Sequence, residues 1–431
     1  MKRTNLTVVA AATAATLALA GCGSSGEAPE ADGPITLTVS GWALESTPEF
    51  QALADGFEAL HDDVTVEVVE YDSAEYNTLL TADLAAGSGP DIITQKEVKF
   101  VTTFQAGGQL MDVSDLELPE GLSGTDSYEI DGATYAVPYR QDAWVLYYNR
   151  DLFAAAGVDE PDGSWTWDDY ADAAEALDAG LAAAGSAAQP TYLHRWQSTV
   201  QGFATAQSGA DIISGEIDQF EDAYDRTLAL QDDGLQVEFN TSTANQLTYQ
   251  GEFGNQNAAM MPMGTWYVAS LISQQASGDA QDFEWGIAPA PQLDDETTGT
   301  DATPVTFGDP TGFGINANID ESEVEMARAF LEYAASEEAA TMLAELGVTP
   351  ALLTDDVTAA YFAVDGAPTD ELSQFAWSTH EVIAENPTSP TTATVQGILN
   401  DMHSAIMSES EPVESALETA QQRIESEAVA P

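Results

Sequence analysis

The pattern of apolar and polar positions becomes regular at residue 35. Residues 35–39 (Ile-Thr-Leu-Thr-Val) put an apolar side chain at every second position, the period of a strand with one buried face. Thr47-Pro48-Glu49 is a helix start, after which Phe50, Leu53, Phe57 and Leu60 share one helical face. Residues 64–69 form a second strand. A helix through Leu79, Leu80 and Leu84 then stops at Gly87, and residues 91–94 make a third, short strand. Strand–helix–strand repetition at this spacing predicts right-handed crossovers and a parallel sheet. Ligands on such a sheet meet the carboxyl ends of the strands, here residues 40–45, 71–73 and 95–96.

The later chain repeats the theme less regularly. Residues 151–235 read as Ala-rich helix interrupted at 157–164, 185–190 and Gly209. Residues 258–263 and 283–288 read as strands flanking a helix from Thr265 to near Gln275. Residues 293–303 form a polar, acidic loop and residues 313–315 a short strand. Most of the remainder is helix, including 413–424. There is no internal repeat.

Charge narrows the function. The chain of 431 residues carries 73 acidic and 10 basic side chains, a formal charge of −63. Lys2 and Arg3 lie in a leader without acids, so eight bases face 73 acids after it, a charge of −65. That balance excludes nucleic acid and adhesion to anionic lipid, both of which need clustered Lys and Arg. Disorder is excluded by the 44% apolar content and by 8 Trp, 14 Tyr and 15 Phe. The scarcity of Lys (only Lys96 and Lys99 after the leader) reads as adaptation to salt, where carboxylates hold hydration and their repulsion is screened. An acidic protein without halophily is the alternative.

The first 21 residues are a basic start, an apolar run over 6–20 and Leu19-Ala20-Gly21 before Cys22. The run is too short and Ala-rich for a membrane span. The segment resembles a bacterial lipoprotein signal, which implies cleavage before Cys22 and lipid on its thiol; an ordinary secretory leader is the other reading. Cys22 is the single cysteine, so no intrachain disulfide forms. Residues 22–34 read as a flexible tether.

Catalytic signatures are lacking. After the leader there is no Gly-x-Ser-x-Gly, Gly-x-Gly-x-x-Gly or phosphate-loop motif. His61, His194, His380 and His403 are scattered without metal-ligand spacing, so neither a metal nor a cofactor is expected. With so many carboxylates, nominating a glycosidase pair carries no weight.

An ordered series of segments spans nearly the whole chain after the leader. It comprises Ala85-Ala86-Gly87-Ser88-Gly89-Pro90-Asp91-Ile92-Ile93 and Gly107-Gly108-Gln109-Leu110-Met111-Asp112-Val113. It continues with Tyr135-Ala136-Val137-Pro138-Tyr139, Leu146-Tyr147-Tyr148-Asn149-Arg150-Asp151-Leu152-Phe153 and Trp165-Thr166-Trp167-Asp168. Gly264-Thr265-Trp266, Trp285-Gly286-Ile287-Ala288-Pro289 and a tail from Asn386-Pro387 to Leu417 complete it. In order and spacing it resembles the extracytoplasmic solute-binding proteins of ABC importers, in the carbohydrate-binding, maltose-binding-protein-like group. The resemblance implies an α/β, two-lobed periplasmic-binding-protein fold, each lobe a mixed, mostly parallel sheet flanked by helices. The lobes would be 35–140 with 308–349, and 141–307 with 350–431, crossed near 138–142, 308–312 and 347–350. It further implies a monomer without enzymatic activity, held by its lipid at the outer face of the cell membrane. The protein would close on a sugar or oligosaccharide and deliver it to permease subunits.

The resemblance carries a sugar-stacking aromatic to Trp266, which follows a strand and starts a helix at the crevice. Trp42, in the first strand's terminal loop, and Trp196, after His194-Arg195, are the other stacking candidates, because an aromatic face suits the apolar face of a pyranose. Trp144, Trp165, Trp167 and Trp285 read as structural, and Trp377 stays open. Arg140 and Asp142 at the first crossover are the leading polar candidates, with an inter-lobe salt bridge as the alternative. Glu45, Tyr71, Asp72, Gln95 and Asp309 follow from crevice loops. Asp309-Pro310 also departs from the paired glycines the family often has at the second crossover. If Arg140 and Arg195 both face the crevice, an acidic or phosphorylated ligand follows. A phosphoester, polyamine or peptide ligand on the same fold, and a secreted polysaccharide-active enzyme, are the competing readings.

Overall fold

A computed structural model describes residues 34–428 except Ser46. The proposed leader, Cys22 and nearly all of the tether lie outside the described residues.

The regular N-terminal pattern folds as a βαβαβ unit: β1 (Ile35–Trp42), α1 (Glu49–Leu60), β2 (Val64–Tyr71), α2 (Tyr76–Ala86) and β3 (Ile92–Gln95). Both strands flanking β1 run parallel to it. The apolar alternation of β1 buries Leu37 and Val39 against Phe50, Leu53 and Phe57 of α1. Leu60 and Leu79 depart from the expected faces: they are 53% and 42% exposed, Leu60 because it is the last residue of its helix. A short helix, α3 (Val101–Ala106), and a hairpin of β4 (Glu129–Ile130) and β5 (Ala133–Thr134) lead to β6 (Val137–Gln141). Tyr76, Leu80, Leu84, Ile93 and Phe104 fill the second core of this lobe.

After β6 the chain enters the other lobe. There β7 (Trp144–Asn149), α4 (Arg150–Ala156), α5 (Trp167–Ala184), β8 (Gln189–Thr191), α6 (Ser198–Ser208), α7 (Phe220–Asp232), α8 (Phe239–Asn245), α9 (Tyr249–Gly254), β9 (Ala258–Gly264), α10 (Trp266–Ser277) and β10 (Trp285–Pro289) follow in order. Gly157, Gly185 and Gly209, the expected interruptions, each end a helix in the left-handed conformation that a Cβ disfavours. Thr166 caps α5 through a capping box with Asp169. Two short strands near the crossings, β11 (Val305–Phe307) and β13 (Glu381–Ile383), pair in parallel. Between them lie β12 (Pro310–Ile315), α11 (Val324–Ala334), α12 (Glu337–Glu345), α13 (Asp355–Phe362) and α14 (Glu371–Ser378), and α15 (Thr392–Met407) and α16 (Val413–Glu427) end the chain.

The molecule is two-lobed, with a sheet ordered β2-β1-β3-β12-β6 in one lobe and β10-β7-β9-β8 in the other. Both sheets are mixed, but the expected parallel majority is not reached. In the first sheet β12 runs antiparallel to β3 and β6, and in the second β7 runs antiparallel to β9 and β10. The reason is topological. Strands that carry the chain directly from one lobe to the other return against their neighbours, and only the βαβ crossovers keep β1–β3 parallel.

Three crossings connect the sheets, and they touch. The first, at Asp142-Ala143, joins β6 to β7, and the second, at Gly308-Asp309, joins β11 to β12. A Cβ on Gly308 would lie 2.1 Å from the Asp142 carbonyl oxygen, so the two crossings pack backbone against backbone. The third follows α12: Gln141 N–H donates to the Thr349 carbonyl at 3.2 Å, and Ala351 N–H to that of Tyr139 at 3.0 Å.

Candidate functional site

A cavity of about 1160 Å³ opens where the crossings meet, walled by both lobes. On one side Trp42 ends β1, half-buried, with its edge against Phe50 and Tyr76 at 4.8 and 5.2 Å. Lys96, just after β3, sets its ammonium 5.0 Å from the Trp42 ring centre.

The opposite wall is aromatic. Trp266, the first residue of α10, stands edge-on to Trp144 at 5.4 Å and lies 6.5 Å from Trp196, which lies 5.7 Å from Tyr249. The chain upstream makes room for this ring: a Cβ at Gly264 would fall 1.9 Å from the Trp266 ring, so a side chain there displaces it. Trp196 is 39% exposed, high for a ring in a cluster, and His194 supports it at 4.4 Å. Burial, with Arg195 adding to it, lowers the His194 pKa to about 4, so this imidazole stays neutral and packs as an aromatic.

At the base, an ion-pair chain ties the lobes together. Arg140 Nη1 donates to Glu49 Oε1 at 2.8 Å and Arg140 Nε to Asp142 Oδ2 at 2.6 Å. Thr265 Oγ1 donates to Asp142 Oδ1 at 2.9 Å, and Thr349 Oγ1 donates to Thr265 Oγ1 at 3.1 Å. Burial works against the Arg140 charge, but the Asp142 and Glu49 carboxylates more than offset it, and the guanidinium pKa is raised. This is the inter-lobe salt bridge that stood as the alternative reading of Arg140 and Asp142.

Of the ten expected site residues, the cavity brings together Trp42, Arg140, Asp142, Trp196, Trp266 and Asp309. Four do not line it. Glu45 is exposed on its turn. Tyr71 turns into the core, its hydroxyl donating to Asp83 at 2.9 Å. Asp72 instead accepts from the backbone N–H of Ala74 and Glu75 at 2.9 and 3.1 Å, fixing the turn before α2. Gln95 is buried, donating to the Ile93 carbonyl at 3.3 Å. Its neighbour Lys96 reaches the cavity because successive extended residues point to opposite sides.

Sequence reasoning named Lys96 only as part of the 95–96 loop and passed over Glu49, Glu97, Lys99, Tyr249, Glu385 and Asn386; all of these also line the cavity. A signal was available in the bases: Lys96, Lys99, Arg140 and Arg195, four of the eight after the leader, lie in this one cavity. They do not make it an anion site. Glu49, Glu97, Asp142, Asp309 and Glu385 line it too, Arg140 is committed to two of them, and Arg195 donates to the Leu247 carbonyl at 2.7 Å. The tryptophans expected to be structural divide: Trp285 and Trp167 are buried, Trp144 is buried at the cavity wall, and Trp377, left open, is fully buried and stacked on Tyr361 at 4.2 Å. Among the described residues no cluster of His, Cys, Asp and Glu could hold a metal, and no helix is long and apolar enough to cross a membrane.

Two mixed α/β lobes joined by three crossings, with an aromatic cleft at the joint, form an architecture suited to a solute-binding protein. The chain belongs to the bacterial extracellular solute-binding protein family, whose model matches residues 43–341. It is a family of binding proteins, not enzymes, acting outside the cytoplasm. A sugar transporter from Rhizobium etli, solved in an open conformation, is 29% identical, with a TM-score of 0.79 over 91% of this chain and 99% of its own. A Streptomyces antibioticus protein described as an uncharacterised lipoprotein is 28% identical over 296 residues, 64% of this chain. The match spans 62% of that relative, a little under two thirds of its length. The maltodextrin-binding protein of Bacillus subtilis is 31% identical over 150 residues, 34% of this chain and 35% of its own.

Proposed function

We propose that this protein captures an oligosaccharide between lobes 35–140 plus 308–349 and 141–307 plus 350–431, and hands it to the permease of an ABC importer. The carrying observation is the aromatic wall of Trp266, Trp196 and Tyr249 in the cavity that Trp42 lines from the other lobe. Such faces match the apolar faces of sugar rings, and the polar side chains between them suit hydroxyls. The cavity's 1160 Å³ lies just above the range of about 300–1,000 Å³ usual for small-molecule pockets, which favours an oligomer over a single ring. The names of the Rhizobium and Bacillus relatives support a sugar ligand. A ligand touching both lobes binds the closed arrangement better, and that difference in affinity drives closure. The test is calorimetry against a panel of oligosaccharides, with small-angle scattering on any ligand found. Binding with a smaller radius of gyration is expected, and tight binding without compaction removes closure from the reading.

The same reading holds the monomeric protein outside the cell by lipid on Cys22, consistent with the lipoprotein relative. Cys22→Ser should release it from membranes into the soluble fraction, and retention after a carbonate wash counts against the anchor.

A further inference from the structure

A second cavity, of about 170 Å³, lies within the lobe that carries the aromatic wall, between α5, α6 and α7. Much of its lining is apolar, with Trp167 from α5, Val200 and Phe203 from α6 and Leu230 from α7. Leu293, 49% exposed, also lines it, so the cavity opens to solvent beside the 293–303 loop. The chamber is separate from the cleft, and the two share no lining residue. Phe203 bridges them, edge-on to Trp167 at 5.1 Å and to Trp144 of the cleft wall at 6.0 Å. An apolar cavity of about 150 Å³ takes up one benzene-sized molecule, so this volume suits a single ring.

Several polar side chains around the cavity are committed to the protein. Trp167 Nε1 donates to Gln207 Oε1 at 2.9 Å, and Gln207 Nε2 donates to the carbonyls of Pro291 and Val305 at 2.9 and 3.1 Å. The Thr199 and Thr227 hydroxyls donate to the carbonyls of Trp196 and Ala223 at 2.7 and 2.8 Å. Arg226, half-buried on α7 and also in the lining, is different. Of the eight bases after the leader, Lys99, Arg140, Arg150, Arg328 and Arg423 form ion pairs. Lys96 donates to Ser73 and Arg195 to Leu247. The Arg226 guanidinium makes neither an ion pair nor a hydrogen bond among the described residues, and instead lies over the Trp167 ring, 5.1 Å from its centre.

This isolation is not for want of acids. Asp222, one turn earlier on α7, and Asp168 on α5 are near enough to favour the Arg226 charge, yet neither closes an ion pair with it. Burial outweighs them and lowers the guanidinium pKa. A guanidinium presents five donors in a planar fork and accepts nothing, so what it lacks is a planar pair of acceptors. A carboxylate supplies that pair in two parallel bonds.

We propose that this cavity is a second ligand site, for a small carboxylate whose single apolar ring fills the space between α5, α6 and α7 while Arg226 holds its carboxylate group. The site is independent of the capture reading. Asp222 lines the same cavity and repels the bound anion, so removing its charge tightens the site.

The test is titration calorimetry of the full chain with benzoate and cyclohexanecarboxylate, each beside its neutral alcohol (benzyl alcohol, cyclohexylmethanol), and with acetate as an anion that has no ring. The better-bound acid should bind about tenfold tighter than its alcohol, from charge-assisted hydrogen bonds, and acetate should not bind. Arg226→Met, which keeps an apolar stem, should bring the acid-to-alcohol ratio close to one, and Arg226→Gln is the second variant should the first melt early. Asp222→Asn should tighten the acid about twofold and leave the alcohol unchanged. No uptake of either acid up to about 10 mM overturns the site. So does equal binding of acid and alcohol, acetate binding as well as benzoate, or a ratio that survives in both Arg226 variants.

Discussion

The first and second crossings handle buried charge in opposite ways. At the first, Arg140 sits between Glu49 and Asp142, and each carboxylate has a named donor at 2.6–2.9 Å. At the second, Asp309 and Glu385 are answered by amides, a hydroxyl and backbone N–H groups but by no paired base. The two lie against each other, since Gly308 packs on the Asp142 carbonyl, so the contrast is not one of depth or solvent. It teaches that charge at the joint serves two purposes: one crossing is closed by its own side chains, while the other stays short of positive charge and so favours a bound proton.

The largest expected break is Arg140→Met. Glu49, 1% exposed, and Asp142 would lose their cationic partner, which typically costs about 3–5 kcal/mol, read as a lowered denaturant midpoint. A loss below 1 kcal/mol would mean that the first crossing is not held by its ion pairs. Next comes Trp266→Ala, which belongs to neither crossing. It should weaken saccharide binding by about 2 kcal/mol, with a smaller loss of stability than for a core tryptophan, and calorimetry beside thermal melts separates the two.

The second crossing predicts a sign. Glu385 has a folded pKa raised by burial and by Asp309, so between its unfolded and folded values the native state binds the extra proton. Its contribution is favourable at low pH and is lost as pH rises through the folded value. Glu385→Gln should therefore be more stabilising, relative to the parent, at about pH 8 than at about pH 5. An equal shift at both would remove the like-charge argument. The smallest and least local effect is that of salt. With −65 charges after the leader, the melting temperature should rise between about 0.05 and 1 M NaCl as screening shortens, and a flat response would end the halotolerance reading.

How much of this was legible in the sequence follows from the length of the signal at each place. β1, α1, β2 and α2 were readable because each repeats its period several times and ends on a turn residue such as Gly87. β11 and β13 were not, because three residues carry no period. Their pairing is decided by the crossings they flank. In the cleft, Trp42, Trp196 and Trp266, named from the sequence, line one cavity, yet Gln95 was chosen where Lys96 reaches it. A one-residue error at a strand end reverses the side to which a side chain points, and nothing local in the sequence corrects it. Glu385 and Asn386 lay beyond reach for a different reason. They become neighbours of Asp309 only when residues 77 apart in the chain fold together.

The contact between Gly308 and the Asp142 carbonyl also bears on mechanics. Two strands of the joint are pressed together there, and the third is laced to the first through Gln141–Thr349 and Tyr139–Ala351. Three cables clamped at one point share a single pivot: turning about it strains each a little, while sliding one lobe past the other must tear the lacing. Any opening and closing of this protein is thus geared as one rotation, and a side chain at position 308, wedged against the Asp142 carbonyl, acts like grit in the bearing.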